Sequence, residues 1–246
     1  KVNLVKSMGS LWRKLPKSRS STFGNRVRQL HRFAEGAKLS VQDRYWNWAT
    51  FAQEPEVDRL FTEKSMNRLN QEAYLQQKKE LLVHLQNDGL MHFNELLLTD
   101  MQLVLPGDML TKADLMSMAN GLEVRVPFLS HEVVDFAFSL PSEFKIDARY
   151  RKKIVQDTFR DILPKELYQR PKKGFEVPLL KWLKTDLKDL VTKDLLSDEL
   201  VEAQGIFEVR EVQKMKQKLF SANPEDAHAR VWGLMVFQNW WKKWFA

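Results

Sequence analysis

The sequence predicts a mainly α-helical protein, and three observations support this prediction. Only 9 glycines and 9 prolines occur in 246 residues, so few turns interrupt the chain. Hydrophobic residues make up 43%, which is typical of a folded globular protein rather than a disordered one. No series of strands alternates with helices, so a parallel sheet in this fold would have to come mostly from residues preceding Lys1.

Helices dominate the expected structure of the first 86 residues. They are predicted over residues 3–15, 23–36, 40–52 and 70–86. We expect Trp46, Trp48 and Phe51 to lie in the core. Asn70 is a suitable N-cap for the fourth helix, because its short side chain can accept a backbone hydrogen bond.

Helical patterns continue through the middle and the end of the chain. Helices are predicted over residues 131–139 and 152–162, and two more flank a turn at Pro106-Gly107. Asn223-Pro224-Glu225 is typical of a helix start. The helix that follows is apolar nearly all round, so we expect it to be buried. Its tryptophans, which would pack in the core, are Trp232, Trp240, Trp241 and Trp244.

The positive charge of the chain is concentrated at its N-terminal end. The formal net charge is +7, and residues 1–34 hold nine lysines and arginines but no acidic residue. Such a segment can bind phosphates, nucleic acid or an acidic partner, although a solvated basic helix face is the simpler interpretation. After residue 35 acidic and basic residues are mixed, which argues against a nucleic-acid-binding module.

Several kinds of site are not indicated by the sequence. The chain has no cysteine, so it forms no disulfide and holds no cysteine-ligated metal, which is compatible with a cytoplasmic location. Its five histidines show no metal-ligand spacing, and we expect no metal site. No apolar run is long enough to span a membrane, and no signal peptide is visible. No glycine-rich phosphate-binding loop occurs.

Residues 106–129 carry the most informative pattern. Asp108 and Lys112 are four apart and share a helix face. Glu123 and Arg125 alternate with valines in a stretch that is expected to be irregular or briefly extended, so both side chains can point the same way. Charged residues among buried apolar ones must form pairs or face a ligand. Both interpretations stay open for Glu123 and Arg125, whereas a structural pair is favoured for Asp108 and Lys112.

This segment resembles the asparagine synthase family. The shared residues are Lys112, Asp114, Ser117-Met118-Ala119 and the run Leu-Glu-Val-Arg-Val-Pro-Phe-Leu from Leu122 to Leu129. Further matches follow in the family's order at Leu140-Pro141, Lys152, Leu163-Pro164, Arg170-Pro171-Lys172-Lys173-Gly174-Phe175 and Val177-Pro178. The chain differs from the usual pattern at Leu115, Ser130 and Gln156, which stand where the family has a basic residue, aspartate and, often, arginine.

The resemblance implies a fold and a domain organisation. It indicates the helical C-terminal part of an α/β synthetase domain of the PP-loop (adenine-nucleotide α-hydrolase-like) class, with most of the parallel sheet outside this chain. Residues 1–99 would form a helical flank, residues 100–183 hold the family motifs, and residues 184–246 would form C-terminal helices. The family's pyrophosphate loop and its N-terminal glutaminase domain have no counterpart here. Since the chain begins with Lys1 rather than Met, we expect a piece of a longer protein.

The resemblance also implies a reaction, which uses ATP with Mg²⁺. Members of the family adenylate the side-chain carboxylate of aspartate, and ammonia released from glutamine then attacks the acyl-adenylate to give asparagine, AMP and pyrophosphate. Lys152 matches the family's catalytic lysine, which would stabilise charge on the phosphates. Glu123, Arg125 and Asp114 are candidates for substrate binding, and Lys172, Lys173 and Gly174 for a basic loop near the site.

Three alternatives follow from the same residues. A related acyl-adenylating enzyme could make another amide or a β-lactam. A basic helical module could bind nucleic acid. The chain by itself could also be an inactive part that binds ATP poorly and exposes the apolar surface that packs on the missing half, in which case self-association, such as a homo-oligomer, is expected.

Overall fold

The computed structural model describes residues 27, 29–30, 33–85, 92–169 and 177–245, and within these ranges the chain is helical. The only β-type pairings there are two isolated bridges, Phe61 with Phe207 and Ile146 with Arg151. The chain divides into two compact units, Lys1–Gln76 together with Val177–Ala246, and Gln77–Glu176. The prediction of a mainly helical protein is therefore confirmed.

The first unit contains helices from both ends of the chain. They are α1 (Val41–Ala49), α2 (Glu54–Leu60), α3 (Glu63–Met66), the start of α4 (Gln71–Leu81), α11 (Leu179–Lys184), a π-helix (Leu190–Asp194), α12 (Asp198–Gln204), α13 (Val209–Phe220) and α14 (Ala227–Phe245). A short helical stretch at residues 33–36 precedes them.

The second unit follows α4. It contains α5 (Phe93–Val104), a π-helix (Leu105–Leu110), α6 (Thr111–Met118), a 3-10 turn (Pro127–Leu129), α7 (His131–Ser139), α8 (Ser142–Lys145), α9 (Lys153–Thr158) and α10 (Glu166–Gln169). No helix in the part of the chain that the structure describes is both long and apolar enough to cross a membrane.

The first unit has a well-formed apolar core. Its centre is made by side chains from five helical segments that expose 1% or less of their surface, namely Leu183, Val191, Val201, Val212, Leu219 and Val231. Two distant segments of the chain are joined in this unit by backbone hydrogen bonds from Thr62 N to Ile206 O (2.9 Å) and from Glu208 N to Leu60 O (2.8 Å). Leu60 and Phe61, from the first of these two segments, pack against this core.

A partly buried ion pair ties α12 to α13 in the first unit. Lys216 Nζ lies 2.8 Å from Asp198 Oδ1 and also donates to Leu196 O at 2.7 Å. Hydrogen bonds from Lys216 and from Gln213 hold the pKa of Asp198 below its usual value.

This pair predicts a loss of stability in acid. A depressed pKa means that the folded state favours ionised Asp198, so its contribution is complete above about pH 4 and is lost as the pH falls through the lowered folded pKa. The variant Asp198→Asn should therefore show a smaller decrease in unfolding free energy between pH 6 and pH 3 than the unmodified chain. Urea denaturation at the two pH values measures this, and equal decreases in both proteins would contradict it.

Locally encoded helices were predicted well. The helix at His131–Ser139 has the predicted bounds. Asn70 caps α4 as expected, since its Oδ1 accepts from Ala73 N at 3.0 Å. The helix predicted over residues 3–15 lies outside the described residues.

The predicted turn at Pro106-Gly107 is wrong. The chain runs from α5 through the π-helix into α6 without a break. A π-helix closes each hydrogen bond one residue further along than an α-helix, so it can accommodate a proline at its first turn. Thr111 Oγ1 also donates to Pro106 O at 2.6 Å, which satisfies that carbonyl group.

The predicted burial of aromatic side chains is mostly wrong. Trp48 and Phe51 are 40% and 59% exposed, whereas Val41 and Tyr45 fill the buried face of α1. Phe51 instead lies over Gly233 of α14, where a Cβ atom would meet the Phe51 ring at 3.0 Å. The last helix starts at Ala227 and not at Asn223, because Glu225 has a positive φ of 49°. Only one face of this helix is buried, and Trp232, Trp240 and Trp244 are exposed.

Candidate active site

A tight turn in the second unit precedes the candidate catalytic lysine. The turn is closed by the bridge between Ile146 and Arg151. Inside it, Asp147 Oδ1 accepts hydrogen bonds from the backbone N–H groups of Arg149 and Tyr150, both at 2.7 Å. Aspartate favours such turns because its carboxylate can reach the backbone two and three residues later. These two hydrogen bonds lower the pKa of Asp147, and the bond from Tyr150 has the larger effect. The carboxylate of Asp147 therefore stays ionised and holds the turn.

Lys152 connects this turn to α9 and has an unusual backbone conformation. Its φ and ψ are 57° and 43°, which is the left-handed region. A non-glycine residue in such a region costs roughly 1–3 kcal/mol and persists only where its surroundings fix it. The side chain is exposed, and no described residue forms a hydrogen bond or ion pair with its ammonium group. As far as the described residues go, Lys152 therefore offers an uncompensated cation at the start of a helix.

The next cation along the chain, Lys153, is neutralised. Its Nζ lies 2.8 Å from Asp157 Oδ2, and Arg160 lies 2.6 Å from Asp157 Oδ1. Both cations lower the pKa of Asp157, and Lys153 has the larger effect. Asp157 in turn raises the pKa of Lys153. Of the adjacent lysines 152 and 153, only Lys152 thus keeps its ammonium free to meet an anion.

Arg160 lies between two tyrosine rings. Its guanidinium carbon is 5.3 Å from the ring centre of Tyr150 and 5.5 Å from that of Tyr168. Tyr168 also donates to Phe159 O at 2.6 Å. This group was not predicted from the sequence. Helical spacing relates Asp157 to Lys153 and Arg160, but no local signal indicates the tyrosine contacts.

Glu123 and Arg125 form an ion pair on the surface, which is one of the two arrangements left open for them. Arg125 Nη2 lies 2.5 Å from Glu123 Oε1, and the two side chains are 86% and 68% exposed in that order. The expectation that both point the same way is confirmed, whereas the expectation of buried surroundings is wrong. An exposed pair contributes about 0–1 kcal/mol, so this one does little to hold the segment. No hydrogen bond or ion pair joins either residue to Lys152 within the described ranges.

The remaining candidate residues are less constrained. Asp114 is exposed on α6, and its backbone carbonyl accepts from Ser117 Oγ at 3.1 Å. Asp108 and Lys112 form the expected pair at 3.7 Å on the exposed side of the preceding turns. Lys172, Lys173 and Gly174 lie outside the described residues. No group of histidines and carboxylates that could hold a metal occurs in the described part of the chain.

An apolar groove of about 460 Å³ lies in the second unit. Its walls include Met101, Val104, Phe128, Leu129, Phe138 and Ile154, and its polar lining comes from Asp100 and Lys145. Lys145 Nζ lies 2.5 Å from Asn94 Oδ1 and 5.4 Å from the centre of the Phe138 ring, and burial lowers the pKa of this lysine. Glu123, Arg125 and Lys152 do not line this groove.

Most of the segment that carries the family motifs is poorly buried where the structure describes it. No described side chain from residue 101 to residue 168 is buried. The apolar residues of the run from Leu122 are among the most exposed, with 60% for Leu122, 48% for Val124, 46% for Val126 and 74% for Phe128. A concentration of exposed apolar side chains in one short segment is typical of an interaction site.

Comparisons with known proteins support the resemblance. A family described as asparagine synthase matches residues 7–242. The chain is 31% identical over 147 residues to glutamine-hydrolysing asparagine synthetase 1 of Bacillus subtilis, covering 60% of this chain and 23% of that protein. It is 31% identical over 140 residues to the glutamine-hydrolysing asparagine synthetase of Mus musculus, covering 54% of this chain and 25% of that protein.

The matched stretch spans no more than a quarter of either relative. No solved structure matches the chain. The family match nevertheless extends over nearly all of the sequence, including the turn before Lys152 and the exposed run from Leu122. The chain therefore belongs to the asparagine synthase family.

Proposed function

We propose that this chain is the C-terminal part of the PP-loop synthetase domain of a glutamine-hydrolysing asparagine synthetase. The remaining parts of the enzyme, a glutaminase domain and the ATP-binding half of the synthetase domain, would lie elsewhere in a longer protein. We refer to that longer protein as the complete enzyme. The short share of its relatives that the chain spans supports this proposal.

The reaction would proceed in two steps. An oxygen of the aspartate side-chain carboxylate attacks the α-phosphorus of Mg-ATP, the bond from this phosphorus to the bridging oxygen breaks, and pyrophosphate leaves. Ammonia derived from glutamine then attacks the acyl carbon. The bond from this carbon to the AMP oxygen breaks, the nitrogen loses a proton, and asparagine and AMP are released.

Lys152 would act in the first step. Negative charge accumulates on the α-phosphate and on the departing pyrophosphate, and a fixed cation stabilises it more in the transition state than in the ground state. The single observation that supports this role best is the ammonium group of Lys152, which is exposed and unpaired among described residues while Lys153 is neutralised by Asp157. Glu123, Arg125 and Asp114 would contact the substrates or the ATP-binding half.

The exposed apolar surface of the second unit would pack against the ATP-binding half. A side chain such as Phe128, at 74% exposure, gains free energy when another surface covers it. In the absence of that half, the same surface favours self-association of the isolated chain.

Pyrophosphate exchange into ATP, measured in the complete enzyme, tests this function. We expect exchange that requires aspartate, because the first step is reversible and forms the acyl-adenylate only with the correct carboxylate. Exchange that instead requires another carboxylate would identify a related amide or β-lactam synthetase, a possibility raised by Ser130 and Gln156. The absence of exchange with any carboxylate would contradict the proposal.

A further inference from the structure

Gln156 contacts the backbone on both sides of Lys152. Its side-chain Nε2 donates to Arg151 O at 2.8 Å, and its backbone N–H donates to Lys152 O at 3.1 Å. One residue on the first turn of α9 thus binds the carbonyl group before Lys152 and the carbonyl group of Lys152 itself.

These two contacts restrain the torsion angle that makes Lys152 unusual. The angle φ describes rotation about the N–Cα bond, and it relates the Arg151–Lys152 peptide group to the part of Lys152 that enters the helix. The bond to Lys152 O fixes one side of this torsion, and the bond to Arg151 O fixes the other. The value of 57° is thereby held against the preference of a non-glycine residue for negative φ.

Upstream contacts cannot replace this restraint. Asp147 and the bridge to Ile146 hold the turn as far as Arg151, so they orient the chain that arrives at Lys152 but not its exit into α9. The side chain of Gln156 ties Arg151, at the end of the turn, to the first turn of α9, whereas Arg160 reaches the earlier Tyr150 from beyond the end of this helix. Its second polar atom, Oε1, is buried and accepts no hydrogen bond within the described ranges, so the amide is held through its Nε2 donor.

We propose that Gln156 is a positioning residue for Lys152, which keeps this lysine in the left-handed conformation and aims its ammonium group. This inference rests on the proposed role of Lys152 as far as catalysis is concerned. Its conformational part is independent of that role, and the two parts can be tested separately.

The first test measures the backbone conformation in the 246-residue chain. The variant Gln156→Glu keeps the size of the side chain but loses the donor at neutral pH, and its carboxylate would repel Arg151 O. The one-bond Hα–Cα coupling of Lys152, measured by NMR, distinguishes positive from negative φ. We expect Gln156→Glu to move it to the negative-φ value, and an unchanged coupling would overturn the proposal.

Thr158→Ala is a matched control on the same helix. Thr158 Oγ1 donates to Ile154 O at 2.8 Å, so this variant also loses a bond from a side chain to a backbone carbonyl in α9, but one that does not flank Lys152. We expect the Lys152 coupling to stay unchanged. If Gln156→Glu lowers the helix content in circular dichroism, Gln156→Met replaces it, since this uncharged side chain of similar length also lacks the donor.

The second test measures kinetics in the complete enzyme. A misplaced catalytic group can cost about 10²-fold in rate, so we expect Gln156→Glu to lower kcat for pyrophosphate exchange about 10- to 100-fold while the KM for ATP changes less than about twofold. An equal loss of rate in Thr158→Ala would overturn the positioning role, because it would indicate a general effect on α9.

The two tests separate the failure of this inference from the failure of the proposed function. If Lys152→Ala abolishes exchange while Gln156→Glu leaves both the coupling and the rate unchanged, the positioning role is wrong and the proposed function stands. If Gln156→Glu changes the coupling but neither it nor Lys152→Ala changes the rate, the structural restraint is supported and the catalytic role of Lys152 is wrong.

Discussion

Replacement of Lys152 by alanine in the complete enzyme is expected to lower the rate of aspartate-dependent pyrophosphate exchange by about 10²–10³-fold. The loss of one preorganised group that binds developing charge has an effect of this size, and Lys152 is the lysine at the start of α9 whose ammonium is not already bound by a described carboxylate. The measurement is kcat for incorporation of labelled pyrophosphate into ATP at saturating aspartate.

Lys153→Ala is the matched control. This variant removes the same charge one residue later. In the unmodified chain, however, the ammonium group of Lys153 is held by Asp157 at 2.8 Å. We expect this variant to lose less than about tenfold, since it removes a surface ion pair rather than a phosphate contact. If Lys153→Ala has the large effect and Lys152→Ala the small one, the assignment of the catalytic lysine is wrong by one residue.

The second large expected effect is a difference in stability between a core variant of the first unit and a surface variant of the second unit. In the isolated chain, Leu219→Ala should lower the unfolding free energy of the first unit by about 2–5 kcal/mol, because Leu219 is fully buried in a packed core. Phe128→Ala in the second unit should change stability by less than about 0.5 kcal/mol, because Phe128 is 74% exposed there. Urea denaturation monitored by circular dichroism measures both.

In the complete enzyme, Phe128→Ala should lower the unfolding free energy more than it does in the isolated chain. If the ATP-binding half covers this side chain, Phe128→Ala removes a buried aromatic ring and should cost about 3–5 kcal/mol. Leu219→Ala should cost the same in both forms, and this makes it the internal control. A Phe128→Ala effect that stays small in the complete enzyme would show that the surface does not pack against the missing half.

The sequence allowed the helices with strong local signals to be predicted. Asn70 capped its helix as expected, and the helix at residues 131–139 had the right bounds, because both depend on residues within one or two turns. The continuous helix through Pro106-Gly107 was missed because a π-helix has no common sequence signature. The exposure of Trp48 and Phe51 was missed because it depends on tertiary contacts, such as that of Phe51 with Gly233.

The resemblance to the family pointed to the candidate site residues, whose roles stay predictions, and the geometry of the site could not be predicted from the sequence. The alternation of Glu123 and Arg125 predicted that both side chains can point the same way, which their ion pair confirms, but it did not decide between a pair and a ligand contact. The resemblance to the family pointed to Lys152, yet its left-handed backbone could not be predicted, since a non-glycine residue rarely adopts it. Gln156 stood out in the sequence as a departure from the family pattern, and only the hydrogen bond to Arg151 O indicates what it does.

On the proposed function, this chain supplies one part of an acyl-adenylating site and lacks the part that binds the nucleotide. Calorimetric titration with Mg-ATP, of the 246-residue chain and of the complete enzyme under identical conditions, tests it most directly. We predict no binding by the chain at micromolar ATP and clear binding by the complete enzyme. Micromolar affinity of the isolated chain for Mg-ATP would contradict the claim.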